Sequence, residues 1–424
     1  MTMQRRTITA VLCAIALCES SASIEALACQ AAPPVPSTAP DAAKATPDPV
    51  PAHAARTASA FQTELVDLGF DAAAAIPVKP HERDRSRVQE IVALAALEVG
   101  LPTKSAAMAN QIVSWRRGSV LAELAIDAAR AGRREASAVF ARQAQAALGN
   151  VERWQRERVM VKLAQAEAWL GNDDEARRLE SGVGEPEQGK VASVRAATAS
   201  AEKLDAMLDD AAKMIETANF DLVANALQVC DDVARRSAGD EKRWSRIEEL
   251  LSKASGKVAR DVQIRACLAL AEVRVEQGTR EAARALVGRA ISVRDGARWT
   301  PDAFLQITAA IARTQHDVGD TENARAELDA AIAAFDAGIA QVADVFRAVP
   351  LCSVAEAFMH LGDAERARAV FARAIEEGAR NPNARPRAED LAQTCASMAR
   401  AGVEPDEAMW SRLRAIRAGL LDPW

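Results

Sequence analysis

The chain has 424 residues, no tyrosine, only 4% aromatic residues and a formal charge of −6. Abundant Ala, Arg, Glu and Leu with so few aromatics disfavour a pleated sheet and favour helix. Weakly acidic charge with Arg and Glu interspersed excludes the clustered basic face that nucleic acid requires.

Residues 1–28 read as a signal peptide. Arg5 and Arg6 precede a short apolar run, Ile8 to Leu17, and Ala26-Leu27-Ala28 supplies a small-x-small cleavage pattern. The apolar run is about half the roughly 20 residues of a spanning helix, and no later stretch is apolar enough to cross a bilayer. An exported chain is expected, in the periplasm, at the outer membrane or secreted. Cys29 directly follows the cleavage pattern, a placement that resembles a bacterial lipoprotein and implies a lipid anchor on that residue. Ala26 and Leu27 depart from that family's preferred Leu-small order, so lipidation and ordinary cleavage after Ala28 both remain open.

Residues 29–60 form a Pro/Ala-rich tether containing Pro33, Pro34, Pro36, Pro40, Pro47, Pro49 and Pro51. Proline at this density blocks helix and leaves a semi-extended spacer. Residues 61–85 are expected as an irregular lead-in. A helical-repeat domain is expected over 86–424, with a break into two arrays placed near 181–190.

Within that domain amphipathic segments alternate with breaks at Gly100, Gly132, Gly171, Asn219, Gly278, Gly319, Gly362 and Gly402. An alanine follows most of them, at Ala136, Ala176, Ala282, Ala324, Ala367 and Ala408. Glycine ends one helix, and the acidic residues that follow suit the start of the next. Thr300-Pro301-Asp302 predicts a further helix start with a capping hydroxyl. The long interval from Asn219 to Gly278 leaves room for an extra helix near Arg243 to Ala254. No alternating β-branched run is present, so no sheet is expected.

The segment Leu351 to Ile375 carries the beat most clearly, with Ala355 and Phe358, then Gly362, then Ala367, Phe371 and Ala374. It resembles the tetratricopeptide repeat. Weaker matches are Ala271, Ala283 and Ala290 around Gly278, and Ala312, Ala324 and Ala331 around Gly319. Around Gly171 only Ala164 and Ala176 fit. The family period is 34 residues, whereas Gly278, Gly319, Gly362 and Gly402 lie 41, 43 and 40 apart. The resemblance implies an all-α, right-handed α-solenoid of six to eight stacked antiparallel helical hairpins, open at both ends. It also implies a protein or peptide partner bound in the concave groove. By register the groove residues are Glu272, Glu276, Arg313, His316, Glu356, Met359 and His360, with His316 and His360 on neighbouring units.

No cofactor and no metal site are expected. Gly184 to Lys190 has the glycine and lysine spacing of a phosphate loop, but Val191 replaces the magnesium-binding hydroxyl and no strand precedes it. A flexible link between helices is the expectation there. His53 and His81 stand in no metal spacing. Cys230, Cys267, Cys352 and Cys395 are widely spaced on apolar faces and read as buried thiols more than as disulfides. Asp209-Asp210 and Asp231-Asp232 read as solvated helix edges. No nucleophile, base and orienter can be assembled, so the chain is expected to be a non-catalytic scaffold. The alternative is an all-helical envelope enzyme acting on polysaccharide or peptidoglycan, whose fold would close into a toroid.

Overall fold

The computed structural model describes residues 57–424; the signal peptide, Cys29 and nearly all of the tether lie outside them. Nineteen α-helices and no strand are present among the described residues. In chain order they are α1 (Ala60–Ala75), α2 (Val78–Glu98), α3 (Pro102–Ala109), α4 (Arg116–Arg130), α5 (Arg134–Ala146), α6 (Arg153–Trp169), α7 (Asp173–Glu180), α8 (Glu185–Thr198), α9 (Leu204–Glu216) and α10 (Phe220–Arg235). They continue as α11 (Glu241–Ala254), α12 (Arg260–Glu276), α13 (Arg280–Asp295), α14 (Pro301–Asp317), α15 (Thr321–Gly338), α16 (Ala348–His360), α17 (Ala364–Ala379), α18 (Ala384–Ala401) and α19 (Glu407–Ala418). The extra helix expected near Arg243 is α11. None of the helices is long and apolar enough to cross a membrane.

The hairpin turns form as their glycines predict. After α12, Gly278 adopts φ 77°, its N–H donates to the Val275 carbonyl and that of Thr279 to the Arg274 carbonyl. Gly362 repeats the same pair of bonds after α16, donating to Met359, while Asp363 donates to Phe358. This left-handed closure satisfies carbonyls that a helix end otherwise leaves bare, and it reverses the chain within two residues. The next helix then folds back on the first. Ala355 and Phe358 of α16 and Ala367, Phe371 and Ala374 of α17 are all fully buried, as small crossing residues beside aromatic wedges should be. The crossing alanine after Gly278 is buried Ala283 rather than the half-buried Ala282, and Ala408 is exposed. Pro301 opens α14 as expected, but the Thr300 side chain makes no capping bond.

The α-solenoid of stacked hairpins is therefore present, with a difference at its ends. The even-numbered helices α2 to α18 pack each on the next, and α18 then packs on α2. Nine inner helices thus make a closed ring where six to eight hairpins with open ends were expected. Most outer partners follow their inner helix directly, as α5 follows α4 and α13 follows α12. Inner helix α18 instead takes α1, from the other end of the chain, as its principal partner.

The segment 61–85, expected as an irregular lead-in, supplies that closure. Ser59 and Gln62 form a reciprocal capping box that starts α1. Gln62 Nε2 also donates to the Ala399 carbonyl of α18 at 2.7 Å. Leu65, Val66, Ala72 and Ala73 of α1 are fully buried. A Cβ on Gly69 would stand 3.1 Å from Cys395 Cβ and 3.2 Å from the Ala392 carbonyl. The two backbones approach this closely because Gly69 faces Ala392 and Cys395, a small-on-small seam. Ion pairs Arg385–Asp84 (2.6 Å), Arg87–Glu389 (2.7 Å) and Arg414–Glu64 line its edges. These pairs are exposed or only partly buried, and surface pairs contribute about 0–1 kcal/mol each, so apolar packing holds the seam.

Residues 184–190 are not a link: Gly184 is the N-cap of α8 and the rest form its first turns, with Gly189 close against Asn225 of α10. The apolar core instead changes over near residue 195 and again within α14. All four cysteines are free and buried. Burial pushes the Cys230 and Cys352 thiols up to about 12, so they pack as small hydrophobes.

Two outcomes test the seam. Gly69→Val should cost about 1–3 kcal/mol through overpacking, read as a lower urea midpoint, while the control Gly288→Ala, whose added methyl meets nothing on an exposed turn of α13, should not lower it. Asp390 of α18 is buried, its carboxyl pushed up to about 8 by desolvation and the Glu389 charge, and it accepts from Asn381 Nδ2 at 2.7 Å. Its unfolded pKa is about 4, so the folded state binds the extra proton between these values and stability falls as pH rises through that window. Asp390→Asn, which keeps an acceptor for Asn381, should flatten the urea midpoint between pH 5 and pH 8.

Candidate functional site: the inner wall of the ring

Each inner helix is covered on two sides by its inner neighbours and on a third by outer helices. The fourth side faces the centre, and there the sequence places polar residues one turn apart. Glu272 and Glu276 share that side of α12, Arg313 and Asp317 that of α14, and Glu356 and His360 that of α16.

The wall is a belt of alternating charge. Arg235 of α10 pairs with Glu276 at 3.0 Å and with Asp231 at 3.4 Å. Burial raises the Glu272 carboxyl above its usual range, and the Arg313 guanidinium pulls it back. His360 Nε2 lies 2.7 Å from Asp317 Oδ1, and His316 Nδ1 lies 2.9 Å from Thr321 Oγ1. The Ser397 hydroxyl of α18 donates to Glu356. Glu98 is likewise raised by burial, with the carboxylates of Glu356 and Glu123 pushing the same way and Arg400 opposing them. Glu123 in turn pairs with Lys162 of α6 at 2.9 Å. Side chains that are open to the centre are thus still walled by neighbouring helices, which strengthens every charge interaction relative to a flat surface.

Of the seven groove residues read from the sequence, Glu272, Glu276, Arg313, His316, Glu356 and His360 make the contacts just described. His316 and His360, expected to share a surface, meet edge to face with ring centroids 5.5 Å apart. Met359 is the exception: it points toward the core of the α16 layer, because Phe358 and Leu361 already turn that side inward. Among the described residues no three His, Cys, Asp or Glu side chains come together as a metal site.

Asp231 and Asp232 are corrected as well. They are not solvated edges: Asp231 is buried against Arg235, and burial pushes the Asp232 carboxyl up to about 6. Asp232 opens into a cavity of about 320 Å³ between α4, α6, α8 and α10, lined among others by Arg130, Gln165, Trp169, Lys190, Ser193 and Gln228. A methyl on Gly189 would stand 2.4 Å from Asn225 Nδ2, so glycine is what lets α8 close on α10 there. The sequence offers Gly189 and Lys190 only as a phosphate-loop spacing and Asp232 only as a helix edge, so no motif marks this cavity. Trp169, on the last turn of an inner helix, and Gly189 were the available signals.

No family model matches the chain, and no curated protein matches it. Among solved structures it is similar to a circular tandem repeat protein with novel repeat topology and enhanced subunit contact surfaces, at 15% identity. That likeness covers 85% of this chain and 95% of the other, with a TM-score of 0.31. At that score the ring rests on the contacts of the chain itself.

Arg313 opposes the burial of Glu272, so Arg313→Gln should move the Glu272 carboxyl titration to still higher pH. Carbon-13 NMR of labelled glutamate reads that shift directly, and an unmoved titration would sink the coupling across α12 and α14.

Proposed function

We propose that this chain is a non-catalytic scaffold that holds a protein or peptide partner against the inner wall of its ring. The observation that carries this reading is the belt of partly desolvated charges from Arg235 through Glu272, Arg313, His360 and Glu356 to Arg400. A helical repeat presents such a row on a largely preformed surface, which lowers the entropy cost of binding. An extended segment with alternating charge is the complement, because it meets several helix faces in turn. Closure of the ring means that this segment enters from an end of the barrel rather than along an open groove.

We further propose that the chain works outside the cytoplasm, in the periplasm or at the outer membrane. Support comes from the signal-peptide pattern before Cys29 and the proline-rich tether behind it, with Cys29 itself as the lipidation candidate. The enzyme alternative gains the closed ring it asked for but gains no arranged nucleophile and base, so the binding reading is preferred.

A pull-down from envelope extract with the full exported chain tests the wall. Arg313→Glu and Glu356→Lys should each lower recovery of the co-purifying partner, by about tenfold where a desolvated charge pair is lost. Undiminished recovery by both variants removes the inner wall as the docking surface.

A further inference from the structure

The cavity between α4, α6, α8 and α10 is bordered by one exposed guanidinium and by two buried polar atoms that have no hydrogen bond among the described residues. Arg130, the last residue of α4, makes no ion pair among the described residues; its guanidinium sits 5.2 Å from the centroid of the Trp169 ring. The Trp169 indole N–H is buried and has no acceptor among the described residues. Across the cavity, Ser193 and Gln228 hydrogen-bond to the Asp232 carboxyl, yet its buried Oδ2 has no donor among the described residues.

Their neighbours do not complete them. Lys190 is held by Glu187, the Gln165 amide donates to the Lys190 carbonyl at 2.9 Å, and the Gln228 amide donates to Asp231. Leaving buried donors and acceptors unmade costs about 1–3 kcal/mol each, and a ligand that satisfies them recovers that cost. The α4–α6 end offers a cation and an N–H donor side by side, which suits a carboxylate. The α10 end offers a carboxyl oxygen, which suits an ammonium group. The volume, about 320 Å³, falls at the small end of ligand pockets.

We propose that this cavity binds a small zwitterion of the α-amino-acid class, its carboxylate held by Arg130 and the Trp169 N–H and its ammonium by Asp232. The indole face and Val194 then border the ligand side chain. Binding here is separate from partner binding on the charged belt, since it uses other residues: Arg130, Trp169 and Asp232 make none of the belt's ion pairs among the described residues.

Calorimetry on the full folded chain tests it with a panel of free L-amino acids, the same compounds blocked as N-acetyl or amide derivatives, acetate, and N-acetylglucosamine. At least one free amino acid should bind, and blocking either end should weaken it about tenfold. Arg130→Gln, Asp232→Asn and Trp169→Phe should each weaken it by a similar factor, with unchanged melting temperatures showing that the variants are folded. The proposal is overturned if no free amino acid binds, if blocked forms bind as well as free ones, if acetate or N-acetylglucosamine binds equally, or if the folded variants bind undiminished.

Discussion

Close approach of small residues is the constraint on which this molecule depends. Every hairpin needs alanine or glycine where its two helices cross, and the seam between α1 and α18 needs it most. There Gly69 lies on Ala392 and Cys395, with Ala72 and Ala73 buried beside them. Larger side chains would hold the helices apart and leave the inner face of α18 exposed. A row of alanines contributes little apolar area per residue, but it lets backbones pack at short range where dispersion contacts are most numerous. The ring is therefore closed by the same kind of contact that builds each unit.

Closure changes what the inner wall can do. In an open array a polar helix face borders bulk water on one side only, and its charges are screened. In a ring the same side chains face one another across a confined centre. Carboxyl groups such as Glu98 and Glu272 then feel desolvation and like charges from several helices at once. The neighbouring cations Arg400 and Arg313 keep that arrangement tolerable. Binding chemistry and local pKa values thus both follow from curvature, a property of the stack rather than of any one helix.

Where the wall departs from simple repetition, the departures cluster. The helices α6 to α11 depart most from the hairpin pattern: α8 carries Gly189 against Asn225, and α9 packs on α10 and α11. Gly189 and the paired acids Asp231 and Asp232 belong to this irregular arc, and so does the cavity. In the regular unit that follows, Arg294 pairs with Glu327 and Asp295.

The sequence by itself determined the class of structure. Helix ends at Gly278 and Gly362, crossing alanines such as Ala355 and Ala367, the wedges Phe358 and Phe371 and the extra helix α11 are all short-range features, legible from spacing and turn chemistry. So was the meeting of His316 and His360, since both sit at the same register in adjacent units. The tertiary structure alone decided the rest. Whether a stack of hairpins closes depends on the small rotation added at each of nine inner helices, and no local pattern encodes that sum. For the same reason α1 was read as lead-in, because its partner α18 lies more than 300 residues away. Asp232 and Trp169 look ordinary on their own helices; only the folding of four separate segments around one cavity leaves their polar atoms buried and unpaired.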